Sequence, residues 1–211
     1  MLVILAPCLS AVRKAGIQVW IPDQVRYDKK KMDFLKRPLA ITDVEMTGLD
    51  FRIHEIVEIG LIVVDQKTLK VIDEWNAKVK PRHIKTGAAS AIKFCGYNKL
   101  DWANAMGLKE AMEIYSKKTK NAIFLAQNSF FDWAFISEAF KDTGVEDHTD
   151  YHRVDLFSIG WSKSKDLKGI KSYSLSDMCK YFDIDKEPMP HRAVNGARKA
   201  YEVLKRLMAN G

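Results

Sequence analysis

Asp43 and Glu45 close the apolar run Leu39-Ala40-Ile41-Thr42-Asp43-Val44-Glu45-Met46. In an extended chain residues i and i+2 share a face, so the two carboxylates fall on one spot. Like charges that close repel unless a proton or a cation lies between them, and hard oxygen ligands at a strand end suit Mg²⁺ or Mn²⁺. A plainer reading has Asp43 capping the turn at Thr47-Gly48 and Glu45 solvated. Two later segments weigh against it. Asp132 ends Asn128-Ser129-Phe130-Phe131-Asp132, between an apolar strand pattern over 122–126 and a helical stripe of Trp133, Phe135, Ile136, Ala139 and Phe140. His191 opens His191-Arg192-Ala193 at the mouth of the last helical pattern, and imidazoles titrate near neutral pH, where they can take up a proton. Taken singly, Asp132 also fits a carboxylate at a helix N-terminus and His191 a loop histidine.

Periodicity gives the elements that must hold these groups. Strands are expected at about 38–45, 55–65 and 71–80, joined by short polar turns such as Asp65-Gln66-Lys67. Helical patterns follow near 85–95 and 108–118, then a strand at 122–126, a helix at 131–142, a short strand near 151–154, and helices at about 172–182 and 191–209. In the last of these, Ala193, Ala197, Ala200, Tyr201, Leu204, Leu207 and Met208 make an apolar stripe that position 196 borders. A meander followed by strands alternating with helices predicts a layered α/β domain.

The three segments, in this order, resemble the DEDDh 3′-to-5′ exonucleases, the family of ribonuclease T, oligoribonuclease and the proofreading subunit of bacterial replicative polymerase. Asp43-Val44-Glu45-Met46-Thr47-Gly48 is similar to that family's first motif, Asn128 to Asp132 to its second, and His191-Arg192-Ala193 to the start of its third. Glu55-Ile56-Val57-Glu58-Ile59-Gly60, and Gly96-Tyr97-Asn98 followed by Trp102, extend the likeness from about Arg37 to the C-terminus. The resemblance implies a ribonuclease-H-like mixed five-stranded sheet flanked by helices. It implies two divalent metal ions, Mg²⁺ or Mn²⁺, on Asp43, Glu45 and Asp132, with His191 deprotonating the attacking water. Met46, Thr47 and Leu49 are expected to contact the terminal nucleotide, and Asn128 to shape the turn of the second motif. The implied substrate is the 3′ end of single-stranded DNA or RNA, or a short oligonucleotide, with nucleoside 5′-monophosphates as products.

One position departs from the pattern. The family places an aspartate five residues after the histidine, where this chain has Gly196. The neighbouring Asn195 is a neutral oxygen donor at best. A damaged metal site predicts low activity in Mg²⁺, which demands near-ideal octahedral oxygen geometry, and partial rescue by Mn²⁺. Gly196→Asp is expected to cost little in folding, because the dipole favours a carboxylate near a helix N-terminus. The alternative is a catalytically inactive module that binds nucleic acid or a protein partner with the exonuclease fold; a third reading is a structural polymerase subunit.

Composition adds less. A chain of 211 residues with 47% hydrophobic content can bury one full core and shows no repeats. Of the formal charge of +7, residues 1–37 carry +5, so the remainder is nearly balanced and net charge says little about a polyanionic substrate. Met1 to Cys8 is apolar but lacks a basic leader and is far too short to span a membrane, so no membrane association is expected. Residues 1–31 read as an N-terminal extension outside the fold, with Met32 as an alternative start and the exonuclease-like domain at 32–211. Cys8, Cys95 and Cys179 are scattered, form no C-x-x-C, and suit a reducing cytoplasm. Lys163, Lys165, Lys168 and Lys171 beside Trp161 and Tyr173 fit either a strand-tracking loop or a merely solvated one.

Overall fold

Five strands form one mixed sheet in the order β3-β2-β1-β4-β5. The computed structural model describes residues 33–209. The chain divides between Phe34 and Leu35, and the sheet with its helices belongs to the unit that begins at Leu35. The extension assigned to residues 1–31 lies outside the described residues.

β1 (Leu39–Met46), β2 (Ile56–Val64) and β3 (Val71–Lys78) form the expected antiparallel meander. β4 (Ile123–Ala126) runs parallel to β1, and β5 (Arg153–Asp155) parallel to β4. Parallel neighbours need a crossover. It is made by α1 (Ala89–Cys95) and α2 (Leu108–Lys118) ahead of β4, and by α3 (Ser129–Thr143) ahead of β5. Three further helices, α4 (Leu156–Ser162), α5 (Leu175–Tyr181) and α6 (Ala193–Ala209), complete the described residues.

Both faces of the central strands are covered, which is why every residue of β2 and β4 is buried, Glu58 included. On one face Ala40, Val44, Leu61 and Phe124 pack with Tyr115 of α2 and Phe135 of α3. On the other, Leu39, Ile41, Ile62 and Leu125 pack with Ala197, Val203 and Leu207 of α6. Asp43 and Glu45 continue the Leu39 and Ile41 alternation, so they emerge on the α6 face. Gly60, directly opposite Asp43 across β1 and β2, lets α6 reach that spot. A Cβ at Gly60 would lie 2.2 Å from the carbonyl carbon and oxygen of Ala193, so only glycine allows the start of the helix to rest on the strand.

Two elements differ from expectation. α4 falls between the short strand expected near 151–154, which is β5, and the lysine-bearing loop that starts at Lys163, where no element was expected. It is one helix of seven residues, too short to show a 3.6-residue period, and it starts where the Asp155 carboxylate accepts the Ser158 N–H at 2.9 Å. The 85–95 pattern splits into a 3₁₀ turn at Ile84–Thr86 and the short α1. Cys95 and Cys179 are free and buried. Among the described residues no helix is long and apolar enough to cross a membrane.

Candidate active site

Asp43, Glu45, Asp132, His191 and Gly196 line one cleft of about 1110 Å³. They arrive from three separate stretches of chain. The first two come from the end of β1, where the register slips between Glu45 and Met46 and the ladder stops. Asp132 comes from the first turn of α3. The chain enters that helix through Asn128, whose left-handed backbone (φ 57°, ψ 54°) is one that asparagine tolerates better than most residues. The buried Asp132 carboxylate accepts the Val44 N–H at 3.1 Å, which ties α3 to β1 between the two other carboxylates.

The His191-Arg192-Ala193 segment divides its labour. Ala193 is buried against Gly60. Arg192 turns inward: its guanidinium donates to the Cys95 carbonyl at 3.0 Å, stands 3.6 Å from the buried Glu58 carboxylate, and lies over the Trp102 ring. That indole is anchored in turn, its N–H donating to the Val57 carbonyl at 2.8 Å. His191 is left on the cleft wall, stacked on Phe94 with ring centres 3.9 Å apart and 13° between planes.

The carboxylates repel one another in a buried place. Burial first, then Asp132, Glu45, Glu187 and Glu58, push Asp43 well above the ordinary carboxylate range. Glu45 is pushed up to about 8 by burial and then by Glu187, Glu58 and Asp132, with a partial offset from Arg192. Burial raises Asp132 to about 7, against the Val44 N–H that favours its anion. Hard, buried, mutually repelling oxygens fit a divalent cation in donor chemistry. Even so, among the described residues no group of three or more His, Cys, Asp or Glu side chains is gathered so as to hold one. Asp132 is engaged by the Val44 N–H, and Asp43 has taken space that residue 196 leaves free.

These shifts predict a pH dependence. The unfolded chain ionises such carboxyls at about pH 4, whereas the folded chain keeps the protons up to about 7 on Asp132 and about 8 on Glu45. A raised folded-state pKa contributes stability that is complete below the unfolded value and is lost as pH rises through the folded value. The melting temperature of the chelator-treated protein should therefore fall from about pH 5.5 to about pH 8, and added Mn²⁺ should restore it mainly at the upper end. A Mn²⁺ effect of equal size at both ends of that range would contradict this account of the cluster.

Gly196 explains the position of Asp43 and bears on the expected ease of Gly196→Asp. A Cβ at residue 196 would stand 2.4 Å from Asp43 Oδ2 and 2.6 Å from its Cγ. Any side chain there must displace the Asp43 carboxylate, so Gly196→Asp carries a packing and charge cost that helix-dipole reasoning missed. Nor does Asn195 fill the gap: its Oδ1 accepts from Arg198 at 3.3 Å, and it does not line the cleft.

The expected nucleotide contacts separate. Met46 and Leu49 line the cleft, and Leu49 is 76% exposed. Thr47 is fully buried. Its hydroxyl accepts the Glu55 N–H at 2.9 Å and its own N–H donates to the Glu55 carbonyl, so the side chain braces the turn rather than facing the cleft. Lys163, Lys165, Lys168 and Lys171 do not line the cleft, whereas Lys186, Lys199 and His54 do. Sequence reasoning also missed Glu187 and Phe94, which hold the His191 ring. The signal available was weak: an acidic residue four positions before the histidine in Glu187-Pro188-Met189-Pro190-His191.

A mixed five-stranded sheet that carries paired carboxylates at the end of its central strand, and a histidine just ahead of its last helix, defines a nuclease domain of ribonuclease-H-like fold. The chain belongs to the RNase_T exonuclease family, whose model matches residues 40–204, and it is of the DEDDh type. It is 27% identical over 177 residues to a PolC-type DNA polymerase III of Thermotoga petrophila, covering 83% of this chain and 12% of that protein. It is 28% identical over 141 residues to the 3′-5′ exonuclease DinG of Staphylococcus aureus, covering 66% of this chain and 15% of that protein. The chain thus spans only a small part of the relatives it matches. Its fold superimposes on Escherichia coli exonuclease I, in a zinc-bound complex with single-stranded DNA, with a TM-score of 0.69 at 16% identity, over 82% of this chain and 42% of that one.

Proposed function

We propose that this chain is a 3′-to-5′ exonuclease domain that hydrolyses phosphodiesters at the free 3′ ends of single-stranded DNA or RNA and releases nucleoside 5′-monophosphates. The observation that carries the proposal is the meeting of Asp43, Glu45, Asp132 and His191, from three separate stretches of chain, in one cleft. A module free of catalytic constraint has no reason to crowd three repelling carboxylates, two of them buried, beside an imidazole.

Asp43, Glu45 and Asp132 would hold two divalent ions, Mg²⁺ or Mn²⁺, which when bound stabilise charge on the attacking and leaving oxygens of an in-line displacement. His191 accepts the proton of the attacking water. Met46 and the exposed Leu49 offer apolar surface to the terminal nucleotide, and Lys186 and Lys199 bring positive charge to its phosphates. The names of the relatives support a setting beside a replicative polymerase, and a cytoplasmic location is proposed with it. Gly196 favours the rival, an inactive binding module with the same fold.

The test is a time course in Mn²⁺ on 5′-labelled single-stranded DNA and RNA with free or blocked 3′ ends. A ladder that shortens only from free ends supports the proposal. Retention of the labelled strand without cleavage, on either nucleic acid, supports the rival instead.

A further inference from the structure

Glu187 lies in the loop that leads to His191, and neither the fold nor the motifs account for it. One of its oxygens, Oε2, lies 3.0 Å from His191 Nδ1, and the other, Oε1, accepts the Arg192 N–H at 2.9 Å. The Glu187 side chain is 12% exposed and that of His191 28%, so water competes little for either contact. A carboxylate only accepts, so the proton between these two groups belongs to Nδ1. A neutral imidazole with its proton on Nδ1 has its lone pair on Nε2, and among the described residues Nε2 has no hydrogen-bond partner. The Phe94 ring covers one face of the imidazole, and the His191 N–H donates to the Phe94 carbonyl at 3.1 Å. Ring plane, ring rotation and tautomer are therefore all set, and Glu187 alone sets the tautomer.

We propose that Glu187 is a positioning residue that locks His191 as the Nδ1–H tautomer, leaving Nε2 as the base that takes the proton of the attacking water. The idea deepens the exonuclease reading and rests on it for the identity of that water. A carboxylate on the far nitrogen of a catalytic histidine fixes orientation and stabilises the imidazolium that forms. Glu187 also stands near Asp43 and Glu45, and its charge adds to the repulsion each feels. A direct role as metal ligand is thus the competing assignment. Two hydrogen bonds already made by its two oxygens argue for positioning.

The experiment is ¹⁵N NMR of the five histidines in the full chain, with His191 assigned by its absence from His191→Ala. It is paired with Mn²⁺ titration and steady-state cleavage of a single-stranded oligonucleotide. In wild type the neutral form of His191 should carry its proton on Nδ1. Glu187→Ala should move it toward the Nε2–H form that solvent-exposed histidines prefer and lower kcat by roughly 10–100-fold with little change in KM, as loss of an outer partner does. Glu187→Gln, which keeps one acceptor oxygen for two donors, should fall between them and decides the matter if the alanine variant does not fold. An unchanged tautomer in the substituted protein overturns the proposal. So does a loss of Mn²⁺ affinity in Glu187→Gln as large as that in Asp43→Asn, which would make Glu187 a ligand. If wild type cleaves nothing in Mn²⁺, the exonuclease reading fails while the tautomer still answers for Glu187.

Discussion

Asp43→Asn is expected to abolish cleavage and weaken Mn²⁺ binding, while raising the melting temperature of the metal-free protein. The amide keeps the shape of the side chain and removes a carboxyl whose ionisation is opposed first by burial and then by Asp132, Glu45, Glu187 and Glu58. Without metal the unfolded chain ionises this carboxyl freely while the folded chain resists, a difference that the amide abolishes in favour of the fold; with metal the carboxylate is a ligand, and its loss should exceed the roughly 10–100-fold that outer partners contribute. His191→Ala should behave differently, sparing Mn²⁺ affinity and lowering turnover by the ~10²–10⁴-fold typical of a lost general base. Calorimetric Mn²⁺ titration beside single-turnover rates separates the two. Equal losses of affinity in both variants would dissolve the division between ligand and base.

Gly196→Asp carries the second large effect, with opposite signs in the two states of the protein. Without metal, the new Cβ meets the Asp43 carboxylate and a further negative charge joins a cluster that already holds its protons to high pH. Overpacking of this kind costs about 1–3 kcal/mol, which is roughly 2–4 °C in melting temperature for each kcal/mol in a chain this size. With Mg²⁺ the same side chain supplies the missing charged oxygen, and affinity should rise on the order of tenfold, since ligand charge count tunes such sites. The stabilisation by Mg²⁺ should therefore be much larger in the variant than in wild type, and cleavage in Mg²⁺ should rise with it. If wild type and variant cleave equally fast in Mg²⁺ and are stabilised alike, Gly196 is no lesion and another group completes the site.

Much of this site is legible in the sequence because its parts obey local rules. Asp43 and Glu45 show as an i, i+2 pair because β1 alternates, and Asp132 shows because a strand pattern gives way to a helical one at Asn128. The runs by themselves lead to a layered α/β domain, and the five-stranded ribonuclease-H-like sheet is what the resemblance of the motifs adds. The rest depends on which atoms approach one another across the fold. Gly60 stands in a motif segment, but nothing local tells that Ala193 of α6 rests on it. Thr47 belongs to the same motif as Glu45, yet its side chain braces the Glu55 turn. The cost of filling position 196 is invisible until Asp43 is seen to occupy the space. Glu187 reaches His191 through a loop of irregular backbone, where no period relates the two.

The central claim is that Asp43, Glu45, Asp132 and His191 form a working hydrolytic site although Gly196 stands where a fourth carboxylate is usual. Its most direct test is a single-turnover time course on a 5′-labelled single-stranded oligonucleotide with a free 3′ end, in Mn²⁺, with wild type and Asp43→Asn purified in parallel. The account predicts a 3′-shortening ladder and mononucleotide product from wild type and an intact strand from the variant. Cleavage of equal extent by both preparations, or by neither, would contradict it.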